Sequence, residues 1–432
     1  GNMSCRDPRD ANRFWIPASG SPCGRLSAAD LVAVHFDDMR HEGPARPSSE
    51  TNTHRRVLEL PGVNACVHCH AIASTLIGFE TPQQPMFLLE SDALRPDPLK
   101  ERLFQPVDVW GATRIGAVTV GAYQDTVGSI EMEQRISAYL GQSPVTVVKG
   151  HGPFARGASL AECLHYLSVL ENSAALVIAL KRRGVDTLSL QRSIHNAGAG
   201  AVFAWTPAPV EGSDRPEEPF RNAAAHGEFA EWLSYSFDNG LGAFGTGSMS
   251  RKLSADEMLF CPMSAAPQGV PVPLRRMALH PEGPGEADAQ LRLHRLVYTR
   301  TPYTACMLAA SPLATAEAMA ALAGCPALLG RPAAQRPVVV PIDAEAAHYR
   351  VRLPVADSRA LAADAGEDLI PVLLEAGSGC CLIAGCGVVA AGAQSLGQAA
   401  YWVALAERVA RFRLEVDLNH RVFGGPALAV FE

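Results

Sequence analysis

The sequence lacks an excess of positive charge, and this absence excludes one large group of functions. The formal net charge is −7 at pH 7, the pI is near 6.0, and 37 of the 432 residues are lysine or arginine. Proteins that bind nucleic acid or anionic lipid through electrostatics carry a basic patch or stripe. We therefore predict that the chain binds neither nucleic acid nor a membrane.

Long apolar runs and a regular cysteine framework are also lacking. No apolar run reaches the roughly 20 residues that a membrane-spanning helix needs, although the chain is 48% hydrophobic. The eleven cysteines are odd in number, follow no regular spacing and include the adjacent pair Cys380 and Cys381. This usage indicates reduced thiols, so we expect a soluble protein of the cytoplasm.

The length of the chain suits two domains rather than one. From Ala197 onward the sequence is rich in glycine, proline and alanine and includes the charged pair Glu217 and Glu218. We interpret residues 197–222 as a linker. The predicted domains are therefore residues 1–196 and residues 223–432.

Most of the readable chemistry lies in the stretch from Pro47 to His70. Ser48 and Ser49 are predicted to cap a helix, because their side-chain oxygens suit a helix N-terminus. On that helix, Glu50 and His54 are four residues apart and share one face. A turn at Pro61-Gly62 then leads into an extended segment.

That extended segment, from Val63 to His70, places two imidazoles on one side. Side chains alternate along a strand, so His68 and His70 leave the same face. A third histidine, His151, lies between two glycines at the end of the apolar strand predicted for residues 145–148. Two histidines on a strand with a third from elsewhere are a common way to hold a divalent metal.

One competing motif overlaps this site. Cys66, Cys69 and His70 form the C-x-x-C-H spacing of covalent haem attachment. We reject it, because the motif lies in a β-branched segment of buried character and such haem requires export to an oxidising compartment. The two cysteines are interpreted as small core residues.

Five motifs occur in the order and approximate spacing of one known family. They are Gly1-Asn2-Met3-Ser4, Pro17-Ala18-Ser19-Gly20, Pro47-Ser48-Ser49-Glu50 with His54, His68-Cys69-His70, and Gly150-His151-Gly152 with Gly157. In these motifs the chain resembles the class II aldolase/adducin family, which includes fuculose-phosphate aldolase.

The resemblance implies a fold, a site and an activity. The fold is a three-layer α/β/α domain with a mixed, mainly antiparallel sheet. The site is a zinc ion on His68, His70 and His151 with Glu50 as the acid/base. The activity is retro-aldol cleavage of a phosphorylated ketose through a metal-stabilised enediolate. A cradle for the substrate phosphate is implied at Gly1, Asn2, Ser19, Gly20, Ser48 and Ser49.

The second half of the sequence repeats the first. The corresponding segments are Gly247–Ser250 with Gly1–Ser4, Gln290–Arg295 with Glu50–Arg55 at an offset of 240, and Gly385–Gly387 with Gly150–Gly152 at an offset of 235. We therefore predict that the α/β domain is present twice in tandem.

The second copy has lost the chemistry of the first. Gln290 replaces Glu50, Leu308 replaces His68, Ala310 replaces His70, and Cys386 replaces His151. These side chains do not form a site for a hard or borderline divalent cation. His294 persists as the counterpart of His54, so we interpret both as structural helix histidines.

Three functions remain open from the sequence. The favoured one is the metal-dependent aldolase; a sugar-phosphate epimerase or dehydratase would use the same site, and a non-catalytic interaction protein would resemble the adducins. Epimerases of the family tend to have aspartate at position 50, so Glu50 favours aldolase or dehydratase. The intact histidines argue against the non-catalytic alternative.

The resemblance also implies an assembly. Family members form four-fold rings with each site at a subunit boundary, so a chain with two copies is predicted to form a homodimer that is a pseudo-tetramer. No tyrosine follows Tyr166 within the first copy. The second copy could supply the missing catalytic tyrosine from Tyr298, Tyr303, Tyr349 or Tyr401.

Overall fold

The computed structural model describes most of the chain. The described residues are 1–79, 88–89, 101–123, 128–187, 190, 215–216, 222–263, 272–280, 288–324, 337–348, 351–358, 369–375 and 379–423. They form two compact units, one of Gly1–Pro106 and Arg114–Ala174, the other of Val107–Thr113 and Ala175–Glu432. Most of the predicted linker lies outside the described residues, and its Arg215–Pro216 pairs with a strand of the second sheet.

The first sheet has nine strands in the described part of the chain. They are β1 (Asn2–Arg6), β2 (Arg13–Pro17), β3 (Leu31–His35), β4 (Ala65–His68), β5 (Leu88–Leu89), β6 (Arg102–Phe104), β7 (Val118–Gly121), β8 (Val145–Val148) and β9 (Gly152–Gly157). Their order is β3-β2-β1-β4-β9-β8-β7-β6-β5. The β7–β8 pair is parallel and the other pairs are antiparallel, as predicted for a mixed, mainly antiparallel sheet.

Helices alternate with these strands in the first half of the sequence, and the one after β6 groups with the second unit. The helices in this part of the sequence are α1 (Thr51–Leu58), α2 (Ile72–Leu76), α3 (Val109–Arg114), α4 (Ile130–Gln142) and α5 (Leu160–Arg182). Helices α1 and α4 pack together, and Val57, Met132 and Ile136 join Phe154 of the sheet in one fully buried core. Burial of such side chains is the main driving force for folding.

Helices α2 and α5 are held together by a half-buried acid. The Glu171 carboxylate on α5 accepts hydrogen bonds from the amides of Ala73 and Ser74, both at 2.8 Å. Cys163, also on α5, contacts the carbonyl oxygen of Ala65 in β4 at 3.5 Å. The acid therefore satisfies donors at the start of α2, which the helix itself leaves unpaired.

The second sheet also has nine strands among the described residues. They are β10 (Arg215–Pro216), β11 (Ser248–Lys252), β12 (Glu257–Pro262), β13 (Arg275–Ala278), β14 (Ala305–Ala309), β15 (Val338–Val339), β16 (Leu353–Asp357), β17 (Cys380–Ala384) and β18 (Gly387–Gly392). The helices are α6 (Ala223–Asp238), α7 (Ala289–Arg300), α8 (Pro312–Gly324), α9 (Ala344–His348), α10 (Leu369–Glu375) and α11 (Leu396–Phe423).

The two sheets have the same topology, which confirms the predicted tandem repeat. The order β12-β11-β14-β18-β17-β16-β15 matches β2-β1-β4-β9-β8-β7-β6, and β16–β17 is parallel like β7–β8. The registers agree as well, because Asn2 pairs with His68 as Ser248 pairs with Leu308. Equivalent residues of the two copies thus pair in the same register.

One expectation about apolar segments is wrong. Leu160–Arg182, which forms α5, is long and apolar enough to cross a membrane by length and composition. Helix α5 has this composition because a helix that packs in a protein core is apolar on several sides. In α5, 56% of the most apolar window is buried within the structure.

Candidate metal centre

Strand β4 and the turn after β8 bring the three predicted histidines together. His68 is the last residue of β4, is 1% exposed, and stacks on Phe154 of β9 with ring centroids 4.1 Å apart. His70 follows two residues later and is exposed. His151 lies in the turn between β8 and β9, with its ring centroid 4.5 Å from that of His68.

Glycines on both sides of His151 make this turn possible. Gly150 and Gly152 have φ values of +72° and +152°, a region that other residues rarely adopt. A Cβ atom at Gly152 would also collide with the carbonyl oxygen of Cys69. The turn therefore lies against the chain that follows β4, and this contact places His151 beside His68.

The ligand atoms of the three histidines have the spacing of a metal site. They lie within 4.8 Å of one another, and the two Nε2 atoms of His68 and His151 are 3.2 Å apart. Ligands of a tetrahedral ion with bonds near 2.0 Å are about 3.3 Å apart. The three histidines could therefore hold a divalent metal ion.

The hydrogen bonding of His68 favours a cation at this position. Its Nδ1 lies 2.9 Å from the carbonyl oxygen of Pro153, which only accepts, so Nδ1 carries the proton and Nε2 presents a lone pair. Burial, followed by the nearby His151, lowers the pKa of His68 well below its usual value. Nε2 of His68 therefore disfavours a proton, and its lone pair is available to a metal ion shared with His151.

Glu50 lies next to these nitrogens. Its Oε2 is 3.8 Å from Nε2 of His68, and its Oε1 is 3.8 Å from Nε2 of His151. The side chain is buried, Oε1 has no hydrogen-bond partner among the described residues, and burial raises the pKa of the carboxyl group. The site therefore combines three imidazoles with one buried carboxyl group.

The start of α1 differs from the prediction for Ser48 and Ser49. Glu50 occupies the N-cap position of the helix, and no side chain caps it. The amide of Thr51 instead donates to the backbone oxygen of Ser48 at 3.1 Å. This backbone turn holds Glu50 outside the helix and directs its carboxyl group toward the histidines.

The residues predicted to bind phosphate surround the start of α1. An antiparallel bridge joins Ala18 to Pro47, so the loop with Ser19 and Gly20 runs beside the segment that leads to Ser48. The exposed members are Gly1, Ser19, Gly20 and Ser49, whereas Ser48 is half-buried and Asn2 is buried. Phosphate binding stays a prediction for all six.

One connection was missed by reasoning from the sequence. The amide of Asn2 donates to Oε2 of Glu50 at 2.6 Å and to Oγ of Ser48 at 2.9 Å, and its Oδ1 lies 2.5 Å from Nε2 of His54. His54 is thus joined to the acid, whereas the sequence pattern alone indicates a structural role. The sequence held one signal, since Glu50 and His54 are four residues apart at the start of α1.

The second unit has no such centre in its described residues. Leu308, Ala310 and Cys386 are at most 1% exposed and pack as core residues. The turn that carries Cys386 is covered by the α3 segment of the same unit: the indole of Trp110 donates to the carbonyl oxygen of Cys386 at 2.8 Å, and the amide of Val109 donates to that of Gly385 at 2.7 Å. Tyr298 is also buried, bonded to Ser250 at 2.6 Å.

The fold and the site define an α/β protein with a candidate three-histidine metal centre. The chain belongs to the family described as the Class II Aldolase and Adducin N-terminal domain, which matches residues 1–178 and again residues 230–414. Both copies of the domain are therefore covered by one family.

Individual relatives match about two-fifths of the chain. Methylthioribulose-1-phosphate dehydratase of Leptospira biflexa serovar Patoc is 28% identical over 183 residues, which are 39% of this chain and 82% of the relative. The enzyme of that name from Microcystis aeruginosa is 29% identical over 178 residues, 40% of this chain and 80% of the relative. Among solved structures, L-fuculose-1-phosphate aldolase from Thermus thermophilus is 25% identical with a TM-score of 0.34, covering 43% of this chain and 84% of its own.

Proposed function

We propose that this protein is a metal-dependent lyase that cleaves a phosphorylated ketose by a retro-aldol reaction. The observation that supports this most directly is the convergence of His68, His70 and His151 with the buried carboxyl group of Glu50. A divalent metal on these neutral ligands, most simply Zn²⁺, would act as a Lewis acid toward the ketone and neighbouring hydroxyl oxygens of the substrate.

Glu50 is the group that moves a proton at carbon. In the cleavage direction the bond between C3 and C4 of the ketose breaks, and C4 leaves as an aldehyde while solvent water takes up the proton of its hydroxyl group. The electron pair of the broken bond forms an enediolate over C2 and C3, and Glu50 delivers a proton to C3. Burial raises the pKa of this carboxyl group, and a raised pKa favours proton transfer between the group and carbon.

The substrate phosphate is proposed to bind beside the start of α1. Ser19, Gly20 and Ser49 are exposed there, next to the segment that carries Glu50. Small residues let phosphate oxygens approach backbone amides closely. This position would hold the ketose with its carbonyl group toward the histidines.

Dehydration of a sugar phosphate is the second candidate, and the names of the curated relatives favour it. The same carboxyl group would act in the opposite sense. Glu50 would remove the proton from C3 and deliver it to the hydroxyl group of C4, which would leave as water. Both reactions form an enediolate over C2 and C3, with the bond to C4 broken in cleavage and intact in dehydration, so a proton-transfer group beside C3 serves either.

We also propose that two chains associate into a pseudo-tetramer. In the second unit, helix α3 covers the Gly385–Gly387 turn. Its counterpart in the second copy is α9, which lies 235 residues later in the sequence. Both helices have the same N-terminal cap, because Asp108 accepts from the amide of Gly111 and Asp343 accepts from the amide of Ala346. A second chain could therefore place α9 on the turn that carries His151.

An exposed apolar surface beside the metal centre supports this assembly. Ile72 is 74% exposed and Phe79 is 54% exposed, and Phe79 lies next to Gly150. The corresponding positions at an offset of 240 are Pro312 and Met319, and Met319 is 1% exposed in the second unit. The surface that is buried around Met319 in the second unit is thus exposed around Phe79 in the first.

A reducing compartment, the cytoplasm, is proposed as the location. All ten cysteines of the described residues are free. Free thiols persist where glutathione and thioredoxin keep them reduced.

The function is tested with a panel of phosphorylated ketoses, each incubated with the metal-loaded protein and with the protein treated with chelator. Aldolase activity releases an aldehyde that a coupled reductase detects, whereas dehydratase activity gives a product lighter by one water in a mass spectrum. An epimerase would change neither mass nor chain length. Absence of any chelator-sensitive conversion across the panel would favour the non-catalytic alternative.

A further inference from the structure

His54 is a buried titratable group that the proposed chemistry does not use. It lies on α1, is 0% exposed, and burial lowers its pKa to about 3, so the ring is neutral at physiological pH. Both ring nitrogens are engaged: Nδ1 lies 2.7 Å from Oγ of Ser4, and Nε2 lies 2.5 Å from Oδ1 of Asn2.

The chemistry of the partners fixes the direction of every bond. The end of the Asn2 side chain at 2.6 Å from Glu50 is the NH₂ group, because a carboxylate accepts. Oδ1 of Asn2 therefore faces His54 and must receive a proton, so Nε2 of the ring is protonated. A neutral imidazole has one N–H, and thus Nδ1 accepts from the hydroxyl group of Ser4.

We propose that His54 is a positioning residue for Glu50, acting through Asn2 as the protonated-Nε2 tautomer. The chain of bonds from Ser4 through His54 and Asn2 ends on Oε2 of Glu50 and holds that carboxyl group 3.8 Å from the nitrogens of His68 and His151. The role rests on the proposed function, because it concerns the acid that this function requires.

The second unit provides an internal comparison. His294 occupies the position of His54, is equally buried, and contacts Oγ of Ser248 at 2.9 Å and Oγ of Ser250 at 2.5 Å. Ser248 stands where the first copy has Asn2, and Oε1 of Gln290, the counterpart of Glu50, is buried without a hydrogen-bond partner among the described residues. The buried histidine is thus present in both copies, whereas the asparagine is present only in the copy that has the glutamate.

The kinetic test compares two matched variants of the full, zinc-loaded chain. His54→Leu removes the donor to Asn2, and we expect kcat to fall about tenfold to a hundredfold, since small displacements of a catalytic group have effects of that size. KM and the zinc content should change by less than about threefold. His294→Leu removes an equally buried ring without a link to the acid and should leave kcat within about twofold.

Two further variants separate positioning from folding. His54→Gln keeps an N–H donor near the place of Nε2 and should restore most of the kcat lost in His54→Leu. Asn2→Ala should lower kcat by itself, and adding His54→Leu to it should lower kcat by less than about threefold more, because the two residues act in one chain of bonds. Equal kcat losses in His54→Leu and His294→Leu, or fully additive losses with Asn2→Ala, would overturn the proposal.

A readout independent of turnover tests the hydrogen-bond chain itself. Nitrogen-15 correlation spectra of histidine-labelled protein report which ring nitrogen carries the proton, and the His54 signals are identified by their loss in His54→Gln. We expect Nε2 of His54 to be protonated at neutral pH. A protonated Nδ1 with a bare Nε2, or a doubly protonated ring, would refute the inference even if no sugar phosphate were turned over.

Discussion

The buried ring of His294 predicts a specific loss of stability in acid. Burial lowers the pKa of this imidazole from 6.5 to about 3, so the unfolded chain takes up the proton before the folded protein does. The stabilisation by the neutral ring is complete above pH 6.5 and falls by about 1.36 kcal/mol per pH unit as the pH decreases toward 3. Between pH 6.5 and pH 5.0 the loss is about 2 kcal/mol.

The substitution His294→Gln isolates this effect. Glutamine can still bond to the hydroxyl groups of Ser248 and Ser250 but does not titrate. Denaturant unfolding at pH 7.5 and pH 5.0 should show a decrease in the free energy of unfolding that is about 2 kcal/mol smaller in the variant than in the wild type. The exposed His41 provides the control, and His41→Gln should keep the wild-type decrease. Equal decreases in His294→Gln and the wild type would refute the reasoning.

Three other predictions concern Glu50, Glu171 and the assembly of the chain. Glu50→Gln should lower kcat by about a hundredfold or more with zinc content unchanged, measured by product release and elemental analysis; retained activity would remove the assigned acid/base. Glu171→Ala should destabilise the protein by about 2–4 kcal/mol in denaturant unfolding, because the amides of Ala73 and Ser74 lose their charged acceptor; Glu162→Ala is the comparison on the same helix. Light scattering should give a mass near twice the 45.9 kDa of the chain, and an active protein at 45.9 kDa would contradict the pseudo-tetramer.

The parts of the site that sequence could predict are those that depend on local geometry. The alternation of side chains along an extended segment predicted that His68 and His70 lie on one side, although β4 ends at His68, and the glycines around His151 indicated a tight turn. The repeat was readable because the glycines persist at Gly385 and Gly387, where they have similar positive φ values, although the histidine between them was replaced. Such constraints act within a few residues of the chain.

The parts that sequence could not predict depend on partners far apart in the chain. Glu171 supports α2 from a position 97 residues or more away, and Asn2 joins His54 across 52 residues. The α3 segment groups with the second unit through bonds to Gly385 and Cys386, which no local pattern indicates. Hydrogen bonds of this kind form only when folding brings distant segments of the chain together.

Whether the first copy binds metal decides between an enzyme and a non-catalytic protein. Elemental analysis of the full chain, purified without chelator and dialysed, measures this directly. We expect about one divalent transition-metal ion per chain, bound by His68, His70 and His151, and its loss in His151→Ala while Cys386→Ala retains it. A wild-type chain without stoichiometric metal after exposure to Zn²⁺, or one whose metal content is unchanged in His151→Ala, would contradict it.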